Sequence, residues 1–162
     1  LDAAAIGQSF DLRMMQLAEE AFDVRNDPEQ LDVDENVISR LEQIDPAAVS
    51  ELANEDGPYC WILLVPTTSA LMHDFLENKI SEKELFERTP VGGKYESIYL
   101  CSAMLLEEFR HRGIAGRLSL DAIAQIRSRH DISKLFVWPF SEEGKKSARA
   151  IAEKTGLPLM MR

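Results

Sequence analysis

The spacing of apolar positions predicts helices in the first third of the chain. Apolar residues recur at helical intervals over 10–22, with Asp11 as a possible N-terminal cap, and again over 37–44. The segment 47–53 follows and is predicted to form another short helix. The acidic stretch 23–35 is too polar to bury much surface, so it is predicted to be a loop between the first two helices.

Continuous apolar runs predict four buried strands. The first covers 59–65 and is predicted to stop at Pro66, because proline cannot donate a hydrogen bond to a strand ladder. The run 97–106 is nearly unbroken and fits a central strand that is covered on both faces. Shorter runs predict strands over 133–140 and 157–161.

Polar capping residues predict two short helices between the first two strands. Ser69 is placed to cap a helix over 70–78. Ser81 and Glu84 have the spacing of a capping box, in which each residue satisfies a backbone NH of the other. Both helices therefore have a start signal that is independent of their apolar pattern.

The last third of the chain alternates strands with helices. A four-residue apolar repeat predicts a helix over about 114–129, and Gly156 ends a last helix that opens at 141–143. Strand, helix, strand, helix and strand then follow one another over 97–161. This order predicts an α/β fold, or a mixed α+β fold, with a central mixed sheet flanked by helices.

The composition fits one soluble globular domain over 1–162. The chain has 162 residues, 45% of them hydrophobic and 28% charged, and no apolar run approaches the roughly 20 residues that span a bilayer. Cys60 and Cys101 lie in apolar runs and are predicted to be reduced, buried residues. Because the first residues also lack the profile of a signal peptide, a cytoplasmic location is predicted.

The charge is distributed unevenly between the two halves of the chain. Residues 1–90 hold 20 acidic and 6 basic side chains, whereas residues 91–162 hold 8 and 12. The overall charge of -10 argues against nucleic acid and anionic membranes as partners, since both require a basic surface. The acidic half is able to attract a cationic partner, although acidic surfaces also serve solubility alone.

The segment 107–117 joins a predicted strand to a predicted helix and has the composition of a phosphate-binding turn. A helix start exposes unpaired NH groups with partial positive charge, which suits an anion if the backbone can come close. Three small residues permit that approach: Gly113, Ala115 and Gly116. Three arginines surround the same turn and are able to bind an anion: Arg110, Arg112 and Arg117. A solvated surface loop is the alternative interpretation of the same residues.

The pattern Arg110-x-x-Gly113-x-Ala115 resembles the acetyl-coenzyme A pyrophosphate signature of the GNAT superfamily of N-acetyltransferases. The resemblance implies that 97–106 and 133–140 are the two strands that splay apart around pantetheine in that family. It implies that Ala103 and Leu105 offer main-chain groups to pantetheine. It also implies that the NH groups from His111 to Gly116 hold the pyrophosphate. By this interpretation 91–162 is the acetyl-coenzyme A half and 1–90 the acceptor half.

The resemblance implies transfer of an acetyl group to an amine of a small molecule or peptide, assisted by a base and an acid. The chain departs from the family here, because Ala152 stands where many members carry an acidic Tyr. Tyr99 is the candidate acid, or more simply a core or pantetheine-wall aromatic, and Glu96 is the candidate base. Ser147 lies near a position where members often have an Asn beside the coenzyme. A noncatalytic module that binds a coenzyme A thioester or a protein partner is the alternative.

Other site classes find less support in the sequence. Neither a dinucleotide-binding nor a P-loop glycine motif occurs. His73 and Asp74 are adjacent helix residues that do not share a face, and no second set of ligands follows at a zinc spacing, so no metal is predicted.

Overall fold

The computed structural model describes residues 9–23 and 34–162. The six α-helices of these ranges are α1 (Phe10–Asp23), α2 (Glu35–Ile44), α3 (Ser69–Leu76), α4 (Glu82–Arg88), α5 (Ile114–Arg129) and α6 (Glu142–Thr155). Two short 3-10 helices are Pro46–Ala48 and Glu107–Phe109. The strands are β1 (Val49–Asn54), β2 (Gly57–Thr67), β3 (Ser97–Leu105), β4 (Lys134–Val137) and β5 (Leu159–Met161).

The five strands form one sheet in the order β1-β2-β3-β4-β5. Strands β1, β2 and β3 pair antiparallel, whereas β3, β4 and β5 pair parallel. Parallel neighbours require crossover connections, and α5 and α6 supply them. The predicted mixed α/β fold with a central mixed sheet is confirmed.

The sheet buries a different apolar layer on each face. On one face Met14 of α1, Phe75 of α3 and Tyr99 of β3 belong to the same buried cluster. On the other face Ile98 of β3 packs with Ile123 and other apolar residues of α5 and α6. Each large side chain that is fully buried contributes roughly 1.5–3 kcal/mol, so the two layers together fix the helices on the sheet.

The prediction of a helix over 47–53 is wrong. Pro46 begins a 3-10 helix whose first free amide, that of Ala47, bonds to the Asp45 carboxylate at 2.8 Å. The chain then enters β1, where Val49 pairs with Leu63 of β2. Helix formers such as Ala and Glu dominate this segment, but pairing with an existing strand overrides their local preference.

The predicted strand over 59–65 is confirmed in position but is longer than expected. Pro66 does not end it, because β2 continues to Thr67 and Pro66 stands opposite Ile98 in the ladder with β3. The pairing of β2 with β1 is also irregular near the start of β2, where the register shifts between Leu52 and Ala53 of β1.

The helix caps agree with the sequence only in part. The capping box of Ser81 and Glu84 is confirmed. Thr68, and not Ser69, caps α3, with its hydroxyl accepting from the Leu71 amide at 3.2 Å. Asp11 lies inside the first turn of α1, where the Ser9 hydroxyl accepts from Leu12. Most of the loop predicted over 23–35 lies outside the described residues.

The end of α5 is anchored by a buried carboxylate. Asp45, which is 1% exposed, accepts hydrogen bonds from Arg129 at 2.6 and 2.9 Å, and His130 Nε2 lies 3.3 Å from it. Burial acts to raise the pKa of Asp45, but the hydrogen bonds from Arg129 and from the Ala47 amide outweigh it and hold the pKa below its usual value.

Both cysteines are buried and neither forms a disulfide within the described residues, as predicted. Burial raises the pKa of the Cys60 thiol to about 11, so this residue stays protonated and unreactive near neutral pH. No helix within 9–23 or 34–162 has the length and apolar character needed to cross a membrane.

Candidate functional site

Strands β3 and β4 separate after a short paired stretch. They pair only from Ser97 opposite Lys134 to Tyr99 opposite Phe136. Beyond Tyr99, β3 continues to Leu105 in its ladder with β2, so its other edge is left without a strand neighbour within the described residues. The splayed arrangement expected for these two strands is therefore observed.

A β-bulge marks the point of separation. The ladder between β2 and β3 shifts register so that Leu63 stands opposite Ser102 and Leu64 opposite Leu100, which leaves Cys101 as an extra residue. A bulge bends the strand and increases its local twist. The bend directs the second half of β3 away from β4.

A cavity of about 770 Å³ fills the gap between the two strands. Such a volume lies within the range of small-molecule and cofactor sites. The cavity reaches from one face of the sheet to the other, because Leu17 of α1 and Ser119 of α5 both line it. Its remaining walls come from the middle of β2, the second half of β3, the segment after β4, the first turns of α5 and the length of α6.

The turn before α5 forms one end of the cavity and exposes backbone NH groups. Gly113, at the N-cap, has a left-handed conformation with φ 71° and no side-chain cap hydrogen bond. The first amide that the helix bonds to itself is that of Arg117, which donates to the Gly113 carbonyl at 3.0 Å. The three preceding amides, 114–116, therefore have no partner within the helix. At Gly116 an added Cβ would meet nothing within 4 Å, so the space beside this residue is open.

Two of the three arginines predicted for the turn line the cavity. Arg110 and Arg117 are lining residues, whereas Arg112 is not. Arg110 Nε donates to the Leu105 carbonyl at 3.2 Å, and Arg117 Nη1 donates to the Arg112 carbonyl at 3.0 Å. The Arg112 guanidinium lies 6.0 Å from the centre of the Phe109 ring. All three side chains are exposed and able to reorient toward an anion.

An ion pair and three aromatic rings connect the segment before the turn to α1. Arg13 donates to both carboxylate oxygens of Glu108, at 2.6 and 2.8 Å. The Phe109 ring stacks on Tyr59 at 4.3 Å and meets the edge of Phe10 at 6.0 Å. The hydrogen bond to Arg13 holds the pKa of Glu108 below its usual value, and the same bond raises the pKa of Arg13. We call these five residues the α1 clasp.

The other residues predicted to bind the cofactor line the same cavity. Ala103 and Leu105 do so from β3, and their partners in the ladder, Ile62 and Cys60, belong to the α5 side of the sheet. Ser147 lines it from α6. His111, with φ 65°, and Ala115 line it at the turn. The structure thus brings together all predicted cofactor-binding residues except Arg112.

The two predicted catalytic residues lie elsewhere. Tyr99 is 1% exposed, its hydroxyl donates to Glu82 at 2.6 Å, and its ring packs on Phe75 and Phe136. Glu96 precedes β3, at the end of the strand opposite to the turn, and accepts from the Ser69 amide at 3.4 Å. Neither residue lines the cavity among the described residues, so Tyr99 agrees with its alternative interpretation as a core aromatic.

Several lining residues were not singled out in the sequence. Trp138 and Phe140 follow β4 directly, and Glu143 lies in the first turn of α6. Ligands of open α/β sheets bind beyond the carboxyl ends of parallel strands. Applied to the predicted strand over 133–140, this rule would have indicated Trp138, Phe140 and Glu143. Leu17 had no such signal, because its place depends on how α1 docks.

Ala152, which the resemblance places where many GNAT members carry a tyrosine, is 7% exposed and packs in the core on the α5 side. It has no group that donates a proton. Within the described residues, no group of three or more His, Cys, Asp or Glu is arranged to hold a metal ion.

Comparison with known proteins gives one structural similarity. No family model matches the chain, and no curated protein matches it. Among solved structures, the NatB acetyltransferase complex bound to a bisubstrate inhibitor matches 86% of this chain and 68% of that chain. The sequence identity is 14% and the TM-score 0.47. At this level of similarity, function has to be inferred from the geometry of the site itself.

Proposed function

We propose that the chain is a GNAT-type N-acetyltransferase that transfers an acetyl group from acetyl-coenzyme A to an amine. The observation that supports this most is the cavity between β3 and β4, which has open helix amides at one end and, along one side, an edge of β3 that pairs with no strand of the described residues. An anion and an extended amide chain in one ligand match those two features. Acetyl-coenzyme A has both.

The pyrophosphate is proposed to bind at the start of α5. The amides 114–116 and the helix dipole favour negative charge there, and no side chain competes as a cap. Gly113 and Gly116 keep the approach clear of Cβ atoms. Arg110 and Arg117, which already line the cavity, are proposed to add charge-assisted hydrogen bonds.

The pantetheine arm is proposed to lie along the free edge of β3. Alternate residues of a strand direct their NH and C=O groups to the same edge, so part of 100–105 offers such groups to the cavity. The amides of pantetheine are able to pair with them as a neighbouring strand would. The Leu105 carbonyl accepts from Arg110 and still has a second lone pair for this purpose.

The proposed reaction is direct transfer. The amine nitrogen attacks the thioester carbonyl carbon, the C–S bond breaks, coenzyme A leaves as a thiolate, and the amine loses one proton to a base. Among the lining residues outside the proposed pyrophosphate turn, Glu143 has a side chain able to accept that proton. The roles predicted for Glu96 and Tyr99 remain to be tested by substitution, with full activity of Tyr99→Phe removing Tyr99 as the acid.

A noncatalytic module that binds a coenzyme A thioester is the second candidate. The observation that favours it is the absence of a proton donor at Ala152, together with the distance along β3 between Glu96 and the cavity. This alternative needs the same ligand site but no transfer.

Thermal denaturation with and without acetyl-coenzyme A tests binding, and release of free thiol tests transfer. Ligand at 100 times its dissociation constant should stabilise the fold by about 2.7 kcal/mol. Thiol release with a panel of polyamines, amino sugars and lysine peptides is expected for the enzyme. Stabilisation without thiol release for any amine identifies the binding module, and an unchanged melting temperature rejects both.

A further inference from the structure

The segment directly before the proposed pyrophosphate site carries an unfavourable charge. Glu108 lies in the 3-10 helix Glu107–Phe109, five residues before Gly113. Five extended residues span at most about 18 Å, and the 3-10 turn shortens that distance. An unbalanced carboxylate within that distance would repel the two charges of a diphosphate at low ionic strength, because the screening length increases from about 8 Å at physiological salt to about 30 Å at 0.01 M.

Arg13 of α1 neutralises this carboxylate. The pair is bidentate, because Arg13 Nη1 donates to one carboxylate oxygen of Glu108 at 2.8 Å and Nη2 donates to the other at 2.6 Å. The hydrogen bond lowers the pKa of Glu108 and raises that of Arg13, so both are charged near neutral pH. The carboxylate is thus directed to α1, where its charge is balanced.

The rings of the α1 clasp fix the geometry of this pair. Phe109 is held between Tyr59 of β2 and Phe10 of α1. The Arg110 amide then bonds to the Glu107 carbonyl at 3.1 Å, so the turn begins from a segment that is held on both sides. Arg13 lies one helical turn before Leu17, which lines the cavity, and the two residues share a face of α1.

We propose that Arg13 is a positioning residue of the coenzyme site, which acts by neutralising Glu108 beside the phosphate turn. The inference rests on the proposed function, because it requires a diphosphate at that turn. The proposal makes α1 one of the elements that set the affinity for the coenzyme. The sequence alone assigns no cofactor-binding residue to this helix.

Calorimetric titration with acetyl-coenzyme A at 50 mM salt tests the inference on four proteins. They are the wild type, Arg13→Gln, Glu108→Gln and the double variant. Arg13→Gln is expected to weaken binding about 3- to 10-fold, since it leaves an unbalanced carboxylate near the diphosphate. Glu108→Gln should bind at least as tightly as the wild type. The double variant should recover the affinity of Glu108→Gln.

Arg88→Gln is the matched control for the change in net charge. Arg88 forms an exposed ion pair with Glu84 at 2.7 Å and does not line the cavity, so its loss should change the affinity less than 2-fold. The deficit of Arg13→Gln should also shrink at 500 mM salt, where the screening length is about 4 Å.

The outcomes separate this inference from the proposed function. A wild type that does not bind acetyl-coenzyme A rejects the proposed function. Binding by the wild type, with Arg13→Gln unchanged or with a double variant as weak as Arg13→Gln, overturns the inference alone, because a merely structural role would not be rescued by removing Glu108. If Arg13→Gln does not fold, the charge swap Arg13→Glu with Glu108→Arg replaces it. The swap keeps the pair, so it should bind at least as tightly as the wild type, and a loss would overturn the proposal.

Discussion

The two ends of α5 serve opposite purposes. Its first turn begins at Gly113 without a side-chain cap and faces an open cavity. Its last turn is tied down, since Arg129 and the following His130 both contact the buried carboxylate of Asp45. The end that stabilises the fold is satisfied by the protein, and the end proposed for the ligand is left unsatisfied.

Capping elsewhere in the described residues makes the contrast more specific. Side-chain caps are present at α2, α3, α4 and α6, on Asp34, Thr68, Ser81 and Ser141. The chain therefore uses polar caps where a helix start needs stability. An uncapped start beside a cavity forgoes roughly 1 kcal/mol that a Ser or Asp would supply, which is the pattern expected where a ligand completes the cap.

The largest expected effect tests the anchored end. Asp45→Ala should destabilise the fold by about 2–3 kcal/mol, because it removes both the partner of Arg129 and the cap on Ala47. This loss of stability is at the low end for a buried ion pair, because the Arg129 side chain is 41% exposed and stays hydrated. Urea denaturation measures it, and affinity for acetyl-coenzyme A should be unchanged. A large loss of affinity in the folded variant would show that the two ends are not independent.

The next effect tests the open end. Gly113→Asp should weaken acetyl-coenzyme A binding at least about 30-fold, roughly 2 kcal/mol, because it brings a carboxylate to the proposed phosphate site. Gly92→Asp is the control, since Gly92 has a matching φ of 76° against 71° and does not line the cavity. Both variants should lose similar stability, about 1 kcal/mol, and only the first should lose binding. Equal affinities in the two variants would contradict the site.

Features that depend on residues close together in the sequence were predictable, and features that depend on distant residues were not. Helix α5 and its glycine turn were predicted because periodicity and glycine placement are local signals. The ion pairs that hold α1 and the end of α5 in place are remote in sequence, with Arg13 95 residues from Glu108 and Asp45 84 residues from Arg129. No periodic pattern encodes such partners. The same limitation explains β1, since Val49 becomes a strand residue only through Leu63 of β2.

The two candidate catalytic residues, Tyr99 and Glu96, lie outside the cavity for a related reason. Their candidacy rests on position along the chain, which does not show which face of the sheet a side chain occupies. Tyr99 belongs to the layer with Phe75 and Phe136, where its hydroxyl already bonds to Glu82. By contrast, the glycine turn depends on backbone atoms, whose position follows from the sequence of elements alone.

A smaller effect sharpens the contrast between capped and uncapped starts. Ser81→Ala should destabilise the fold by about 1 kcal/mol, because it removes the oxygen that accepts from the Glu84 amide at 3.0 Å. Thermal or urea denaturation measures the loss. Affinity for acetyl-coenzyme A should stay within 2-fold of wild type, and a greater change would mean that helix starts far from the cavity also affect it.

The smallest effect near neutrality concerns pH. The lowered pKa of Asp45 means that the folded state binds a proton less readily than the unfolded chain. Its stabilisation is thus fully present above the unfolded value of about 3.9 and is lost as the pH falls through the folded value. Urea denaturation from pH 7 to pH 3 should show a decline mainly below about pH 4. The decline should be shallower in Asp45→Asn, and identical slopes would contradict the assignment.

The extra residue at Cys101 inverts which positions of β3 are inside each layer. Tyr99 and Cys101 pack toward α1, but so does Met104, and Leu105 instead shares the α5 layer with Ile98. Deleting that one residue would leave Leu63 opposite Ser102 and Leu64 opposite Leu100, so Ala103 and Met104 would keep their faces, but the bulge and the bend that it imposes on β3 would be lost. The cavity between β3 and β4 therefore depends on one inserted residue, and no point substitution along the strand has the same effect.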